Sequence, residues 1–354
     1  MSETLVGADS PEATRGLQNG QCAWLAAAVA AGALFAWFVA PALFGLFPTD
    51  VTRTQVILEA LEAAREAPAE GPELIIFGSS VAMASVDMEQ MYAALDQPLQ
   101  GWNLSSTGQS PLESYLYYQE LPASVKLIVQ TLSVPTLNHG DMLDEQKYNA
   151  FYMYGYRPDA RTAESMSRIL GAQMAALFAK SDYAQRFESR WVVRQAADRF
   201  MRGLLRKDLS IERAMRDLKF PNSGAQEVSV QAIRAEFART KRTEPSTFAG
   251  NAPKLTFLSE MAERARAHGS DIVFVLLPMH PEDYNYRGQQ YFADARRQLA
   301  EFAQANNITL LDGIDAVPAD NYADMVHPSE NGAVVFSAWL ADELNALHGD
   351  GVTR

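Results

Sequence analysis

Short apolar runs alternate with stretches of helical periodicity over most of the chain. Five runs are bounded by Gly, Pro or polar residues, which is typical of buried parallel strands. They predict strands at 74–77, 99–104, 126–132, 271–277 and 308–311. Helical patterns lie at 87–95, 111–120, 254–268, 287–304 and 329–348. The alternation predicts an α/β fold, a parallel sheet covered by helices on both faces, with its site at the carboxyl ends of the strands.

The connection between the third and fourth predicted strands, 133–269, is far longer than an ordinary crossover. It predicts a mostly helical insertion at about 141–252. An aromatic run from Tyr148 to Tyr156 favours core or lid packing, with a sugar-binding platform as the alternative. The basic stretch at 190–219 is typical of a solvated helix face. The alternative is that it contacts lipid headgroups, an anionic glycan or an acidic partner.

The N-terminal part has a different composition from the body. Residues 1–21 are polar and small, and we expect a disordered tail. Residues 22–47 carry no charged side chain and are long enough to span a bilayer, so they predict an uncleaved transmembrane anchor. The alternatives are a cleaved signal peptide, whose apolar region is shorter and follows basic residues, and a buried core helix. Residues 48–70 predict a stalk, and 71–348 the body.

Charge and cysteine content exclude several classes of protein. The 354 residues carry a net charge of −13, and such an acidic body repels phosphate backbones, so we expect no nucleic-acid partner. The single cysteine, Cys22, excludes an intrachain disulfide and any zinc or iron–sulfur site built from cysteines. We expect no metal and no cofactor. A nucleotide-binding domain is disfavoured because no Gly-rich phosphate loop follows the first strand.

Residues suited to acyl transfer follow three of the predicted strands. The first strand ends in Gly-Ser-Ser, which places Ser80 on a sharp turn before a helix, where a hydroxyl and its own backbone N–H share one space. The segment after the second strand ends in Gly108, where the absence of a side chain lets a backbone N–H approach a ligand closely. After the fifth strand, Asp324 precedes His327 by three residues, so its carboxylate can orient the imidazole as a base.

Together these motifs resemble the SGNH (GDSL-like) hydrolase superfamily, over roughly 72–135 and 270–345. The resemblance implies a flavodoxin-like three-layer fold with the insertion added. It implies that Ser80 is the nucleophile, that Asp324 and His327 complete the triad, and that the N–H groups of Ser80 and Gly108 form the oxyanion hole. The Gly-Ser-Ser sequence also resembles membrane-anchored members that modify envelope polymers, such as D-alanine transfer and alginate O-acetylation proteins.

Two departures from the family pattern concern the site. Ser79 stands where the family has Asp, and no Asn follows the third strand, where the family has a further oxyanion donor. Asn138 and Ser133 are the two candidates to replace that donor. His280 follows the fourth strand. It is either a structural histidine of that loop or a residue that contacts the substrate. Ser79, Asn138 and His280 are thus our candidates for substrate contact. A metal site from His280, Glu282 and Asp283 lacks a recognised ligand spacing.

The apolar segment predicts a single-pass membrane protein, and the resemblance implies that its catalytic domain lies in the periplasm or outside the cell. The expected activity is that of a serine esterase or O-acyltransferase acting on an acylated envelope glycan or polymer. The expected partners are that polymer, the membrane and a membrane-bound acyltransferase. The alternative is a catalytically weak domain that binds glycan or scaffolds a membrane acyltransferase, because the family Asn is missing.

Overall fold

A computed structural model describes residues 23–32, 34–35, 50–68, 71–96, 99–138, 148, 151, 156–171, 228–239 and 247–349. Residues 23–32 are helical, and Trp24, Leu25 and Val29 on this segment are largely exposed. Among the described residues, no helix combines the length and the apolar content needed to cross a bilayer. The predicted tail and much of the predicted anchor lie outside the described residues.

The body is built on one sheet of five parallel strands, as the sequence predicted. The strands are β1 (Leu74–Phe77), β2 (Gly101–Asn103), β3 (Leu127–Leu132), β4 (Asp271–Leu276) and β5 (Thr309–Asp312). Their order is β2-β1-β3-β4-β5, and every neighbouring pair is parallel. This order reverses direction between β1 and β3, which is where a doubly wound sheet forms its crevice.

One helix precedes the first strand, and the other described helices lie between or after the strands along the chain. They are α1 (Asp50–Glu66), α2 (Ser80–Ser85), α3 (Met88–Ala94), α4 (Pro111–Tyr117), α5 (Val134–Asn138), α6 (Ala160–Leu170), α7 (Val230–Arg239), α8 (Ala252–His268), α9 (Glu282–Arg287), α10 (Gln289–Ala305) and α11 (Glu330–Gly349). A 3-10 turn, Tyr118–Glu120, continues α4. The predicted helices at 87–95, 254–268 and 329–348 are present with shifts of one or two residues.

Alternate side chains of the strands enter two apolar clusters, one on each face of the sheet. On β1, Ile75 and Phe77 join the cluster beneath α1, α4, α8 and α10, whereas Leu74 and Ile76 join the cluster beneath α2, α3 and α11. All four side chains are buried. Burial on both faces explains why the strand sequence is continuously apolar and does not alternate with polar residues.

The helix expected to form a stalk is part of the body. On α1, Ile57, Leu61 and Ala64 are buried at helical spacing, and Ile57 and Leu61 belong to the same cluster as Phe77. The domain therefore begins within the predicted stalk, because one face of α1 completes the core on that side of the sheet.

The described part of the insertion also packs on the body. Tyr148, Phe151 and Tyr156 are buried, and the Phe151 ring lies 4.9 Å from that of Tyr117 on α4. The Tyr156 hydroxyl donates to the Leu116 carbonyl at 2.9 Å. These three side chains of the aromatic run thus have the core role that the sequence favoured. The basic stretch at 190–219 lies outside the described residues.

Candidate active site

Ser80 occupies the first position of α2, directly after β1. Gly78 allows this tight connection, because a Cβ atom there would lie 1.8 Å from the Thr131 Oγ1 atom of β3 and 2.8 Å from the Ala82 Cβ atom. The Thr131 hydroxyl is fixed by donating to the Phe77 carbonyl at 2.9 Å. The first N–H groups of a helix have no partner within it, so the Ser80 N–H is available to a ligand near its own hydroxyl.

Asp324 and His327 lie in a loop that is held mainly by its own backbone. The Ala323 N–H donates to the His327 carbonyl at 2.9 Å, and Tyr322 pairs with Pro328 in an isolated bridge. The Ser329 N–H then donates to the Asn321 carbonyl at 2.9 Å. These contacts close the loop at its base, so both ends of the Asp324–His327 segment are held in place by backbone hydrogen bonds.

Ser329 and Gly332 explain the sequence that follows His327. The Ser329 hydroxyl accepts the Gly332 N–H at 3.2 Å, which caps the start of α11. A Cβ atom at Gly332 would lie 2.2 Å from the Asn321 carbonyl oxygen, so only glycine fits without rearrangement. Both residues thus hold the base of the loop against α11.

The structure brings Ser80, His327 and Asp324 together in the order that a catalytic triad requires. His327 Nε2 lies 2.9 Å from Ser80 Oγ, and His327 Nδ1 lies 2.9 Å from Asp324 Oδ2. An ionised Asp324 accepts the Nδ1–H, which leaves the Nε2 lone pair to accept the hydroxyl proton of Ser80. The sequence predicted this convergence from motifs that are 247 positions apart.

Asp324 is held in its ionised form. Burial alone would raise its pKa, but hydrogen bonds from the His327 ring and from the backbone N–H groups of His327 and Val326 outweigh burial and lower the pKa to about 2. Both N–H groups donate to Asp324 Oδ1 at 2.7 Å. The Asp324 and His327 side chains remain 49% and 33% exposed, so the site opens to solvent on this side.

Gly108 lies in a tight turn next to the start of α2. The Gln109 N–H donates to the Ser106 carbonyl at 3.0 Å, and Gly108, at the third position of this turn, has φ +63°. The turn begins beside Gly78, because the Ser106 N–H donates to the Gly78 carbonyl at 2.9 Å. A positive φ at this position favours glycine, which explains why position 108 is a glycine.

Asn138, one of the two candidates for the missing oxyanion donor, has structural partners for its side chain. The Asn138 amide donates to the Thr247 carbonyl at 3.4 Å, and its oxygen accepts the Ala249 N–H at 2.7 Å. The Ser133 carbonyl accepts the Thr136 N–H at the start of α5. Asn138 therefore ties the returning end of the insertion to α5, and its geometry gives no support to a contact with substrate.

His280 and Ser79, the other candidates for substrate contact, are buried. His280 is 0% exposed, its Nδ1 accepts the Glu282 N–H at 3.0 Å, and its ring packs 4.8 Å from the Tyr322 ring. Burial lowers the pKa of His280 and so favours the neutral ring. Ser79 Oγ is buried without a hydrogen-bond partner among the described residues. Neither side chain is open to a substrate in this structure.

The acidic neighbours of His280 are engaged by arginines. Glu282 Oε1 accepts from Arg234 Nε at 2.9 Å, and Asp283 Oδ2 accepts from Arg287 Nε at 2.9 Å. Across the described residues, no group of three His, Cys, Asp or Glu side chains could hold a metal ion. The His280 cluster therefore stabilises the loop after β4 and is not arranged as a ligand set.

The described return of the insertion lies behind the Asp324–His327 loop. The Val228 N–H donates to the Tyr322 carbonyl at 2.9 Å, and the Phe237 ring on α7 lies 6.0 Å from the His280 ring. Arg234 on the same helix pairs with Glu282. The sequence predicted that the insertion borders the site. The Val228 contact joins its return to the base of the loop that carries His327, and the other two contacts join it to the loop after β4.

The side chains that hold the Gly108 turn are not among the residues predicted from the sequence. Gln109 Oε1 accepts the Ser106 N–H at 2.8 Å, and Asn103 Oδ1 accepts the Ser105 N–H at 3.1 Å. A polar residue at the end of a buried strand is a signal for Asn103, because an amide there can satisfy backbone groups where the sheet pairing ends. No comparable signal in the sequence points to the guanidinium of Arg53, which also reaches this segment.

Comparison with known proteins finds neither a family model nor a curated protein that matches this chain.

Proposed function

We propose that this protein is a membrane-anchored SGNH-type serine esterase or O-acyltransferase that acts on an acylated envelope glycan or polymer. One observation carries the proposal: Ser80 Oγ lies 2.9 Å from His327 Nε2, and the opposite ring nitrogen lies 2.9 Å from Asp324. Hydrogen-bond reach between a hydroxyl, a base and a carboxylate that orients the base is the arrangement needed for nucleophilic catalysis. The strand order agrees with the flavodoxin-like fold implied by the resemblance.

The proposed reaction has two steps that share one base. Ser80 Oγ attacks the acyl carbonyl while His327 Nε2 takes the hydroxyl proton, and the N–H groups of Ser80 and Gly108 hold the oxyanion. His327 then gives its proton to the departing alcohol, which leaves the acyl group on Ser80. Water or a sugar hydroxyl attacks this ester, again with His327 as the base, and Ser80 is regenerated. Water gives hydrolysis, and a sugar hydroxyl gives transfer.

Two features favour a large acceptor near a membrane. Half of the Asp324 side chain and a third of the His327 side chain face solvent, which leaves room for a polymer. The apolar side chains of Trp24, Leu25 and Val29 are exposed on a helix in the segment that the sequence predicts to be an anchor. The proposed location is a single-pass anchor with the body in the periplasm or outside the cell. N-terminal sequencing of the purified protein tests the anchor, since removal of this segment would overturn it.

Ser80→Ala gives the direct test of the activity. We expect labelling by a fluorophosphonate and hydrolysis of p-nitrophenyl acetate to fall by about 10⁴-fold or more, the scale seen when a triad nucleophile is removed. Ser85→Ala is a matched control, because Ser85 lies on the same helix, is buried and donates its hydroxyl to the Val81 carbonyl within that helix. Equal labelling of the wild type and Ser80→Ala would reject the proposed nucleophile.

A second candidate function is a glycan-binding or scaffolding domain for a membrane acyltransferase. The observation in its favour is that the Asn138 amide, a candidate for the missing oxyanion donor, is engaged by residues 247–249. Loss of one oxyanion donor costs about 2.7–4 kcal/mol of transition-state stabilisation. In cells, Ser80→Ala separates the two functions: a scaffold keeps polymer acylation near the wild-type level, and an enzyme loses it.

A further inference from the structure

A guanidinium from α1 reaches the backbone beside the candidate oxyanion turn. Arg53 Nε donates to the Ser105 carbonyl at 2.5 Å, and Arg53 Nη2 donates to the Asn103 carbonyl at 3.0 Å. Asn103 is the last residue of β2, and Ser105 immediately precedes the turn formed by Ser106–Gln109. One planar side chain thus bonds two carbonyl groups at the point where β2 leaves the sheet.

The segment held by Arg53 leads directly to Gly108. On the opposite side, the Ser106 N–H donates to the Gly78 carbonyl at 2.9 Å, two positions before Ser80. The Asn103 side chain donates to the Ala82 carbonyl of α2 at 3.4 Å. The segment is therefore held between the backbone around the nucleophile and the guanidinium of α1, and a shift of either support would move the Gly108 N–H relative to Ser80.

α1 is a fixed support for this contact. Thr54, Ile57 and Leu61 are buried against the body, so the backbone that carries Arg53 cannot move independently of the core. Arginine suits the role because its donors form a rigid fork, whereas lysine presents a single flexible ammonium. Charge-assisted hydrogen bonds of this kind are about twice as strong as neutral ones.

We infer that Arg53 is a positioning residue for the oxyanion turn, and that the segment after the apolar region is part of the catalytic architecture. This inference rests on the proposed function. Only five residues lie between Phe47, the end of the apolar region, and Arg53, so the two residues are about 20 Å apart at most. With residues 22–47 as the proposed anchor, this short connection keeps the turn close to the membrane, where an acyl donor or acceptor held at the membrane would arrive.

The test compares Arg53→Met and Arg53→Lys in the full chain. Arg65→Met is the matched control, because Arg65 lies on the same helix and pairs with Glu120, away from the turn. Amide hydrogen exchange is measured on peptides covering residues 103–109, 74–77 and 127–132. With p-nitrophenyl acetate as the substrate, kcat and KM are measured separately. Exchange reports the position of the turn whether or not the protein is an active esterase.

For Arg53→Met we expect exchange in 103–109 to rise about tenfold while the strands stay protected. We expect kcat to fall by about 10–100-fold with KM nearly unchanged, since the turn acts on the oxyanion and a small displacement costs up to about 10²-fold. Arg53→Lys should restore part of both losses, and Arg65→Met should match the wild type. Unchanged exchange in 103–109, or a rise equally large in the strands, would overturn the inference. A wild type that neither hydrolyses the ester nor reacts with fluorophosphonate overturns the proposed function instead.

Discussion

The two halves of the candidate site are constructed differently. Asp324 and His327 are three residues apart, and their loop is closed by hydrogen bonds among its own backbone groups. Ser80 depends on distant parts of the chain, because Gly78 must fit against Thr131 of β3, and the neighbouring turn is held by Arg53 of α1. The acid–base half is therefore a local motif, whereas the nucleophile half is a product of tertiary packing.

The difference predicts that mutations in the acid–base half affect catalysis more than folding. In the nucleophile half, packing defects should reduce the stability of the fold and the rate together.

Asp324→Asn should lower kcat on p-nitrophenyl acetate by on the order of 10³–10⁴-fold, because a neutral amide no longer holds the Nδ1–H tautomer of His327. The fold should persist, since Asp324 is half-exposed. Asp320→Asn is the control, an exposed acid near the same loop. A rate within tenfold of the wild type would remove Asp324 from the triad.

The same variant has a pH signature in stability. The pKa of Asp324 is lowered from 3.8 to about 2 in the folded protein, so its ionised form stabilises the fold above pH 4 and this contribution is lost as the pH falls towards 2. Thermal unfolding between pH 2 and pH 5 should show a smaller decline in Tm for Asp324→Asn than for the wild type. Parallel declines would contradict the lowered pKa.

Gly78→Ala should destabilise the fold by about 1–3 kcal/mol, the usual cost of overpacking a close contact. The added methyl would meet Thr131 Oγ1 at 1.8 Å, so β1 and the start of α2 must shift and the rate should fall as well. Urea unfolding and kcat measure the two effects. The double variant Gly78→Ala/Thr131→Ala removes that oxygen and should recover part of the stability; no recovery would place the strain elsewhere.

Ser329→Ala should have the smallest effect, a loss of about 0.5–2 kcal/mol for a helix cap. The rate should change little, because the Asp324–His327 contact is fixed by backbone N–H groups within the loop. Ser329→Thr retains a hydroxyl and should retain more of the stability in urea unfolding. If Ser329→Ala reduced kcat as strongly as Gly78→Ala, the acid–base half would not be the self-contained motif described here.

Local sequence patterns were sufficient for the sheet and for the choice of site residues. The apolar runs predicted all five strands to within two residues at each end, because strands covered on both faces are rich in apolar residues. Ser80 and the Asp324–His327 pair could be selected because each follows a strand, and the carboxyl ends of parallel strands meet at one edge of a sheet.

The tertiary structure decided the roles of residues whose partners are far away in the chain. Asn138 and His280 follow strands as the triad residues do, yet Asn138 bonds residues 247–249, and His280 is buried beside Tyr322. The helix predicted as a stalk packs against the core and brings Arg53 to the segment before the Gly108 turn. Sequence position limits which edge of the sheet a side chain can reach. Which neighbour satisfies its polar atoms depends on packing between elements that are separated along the chain by tens of residues.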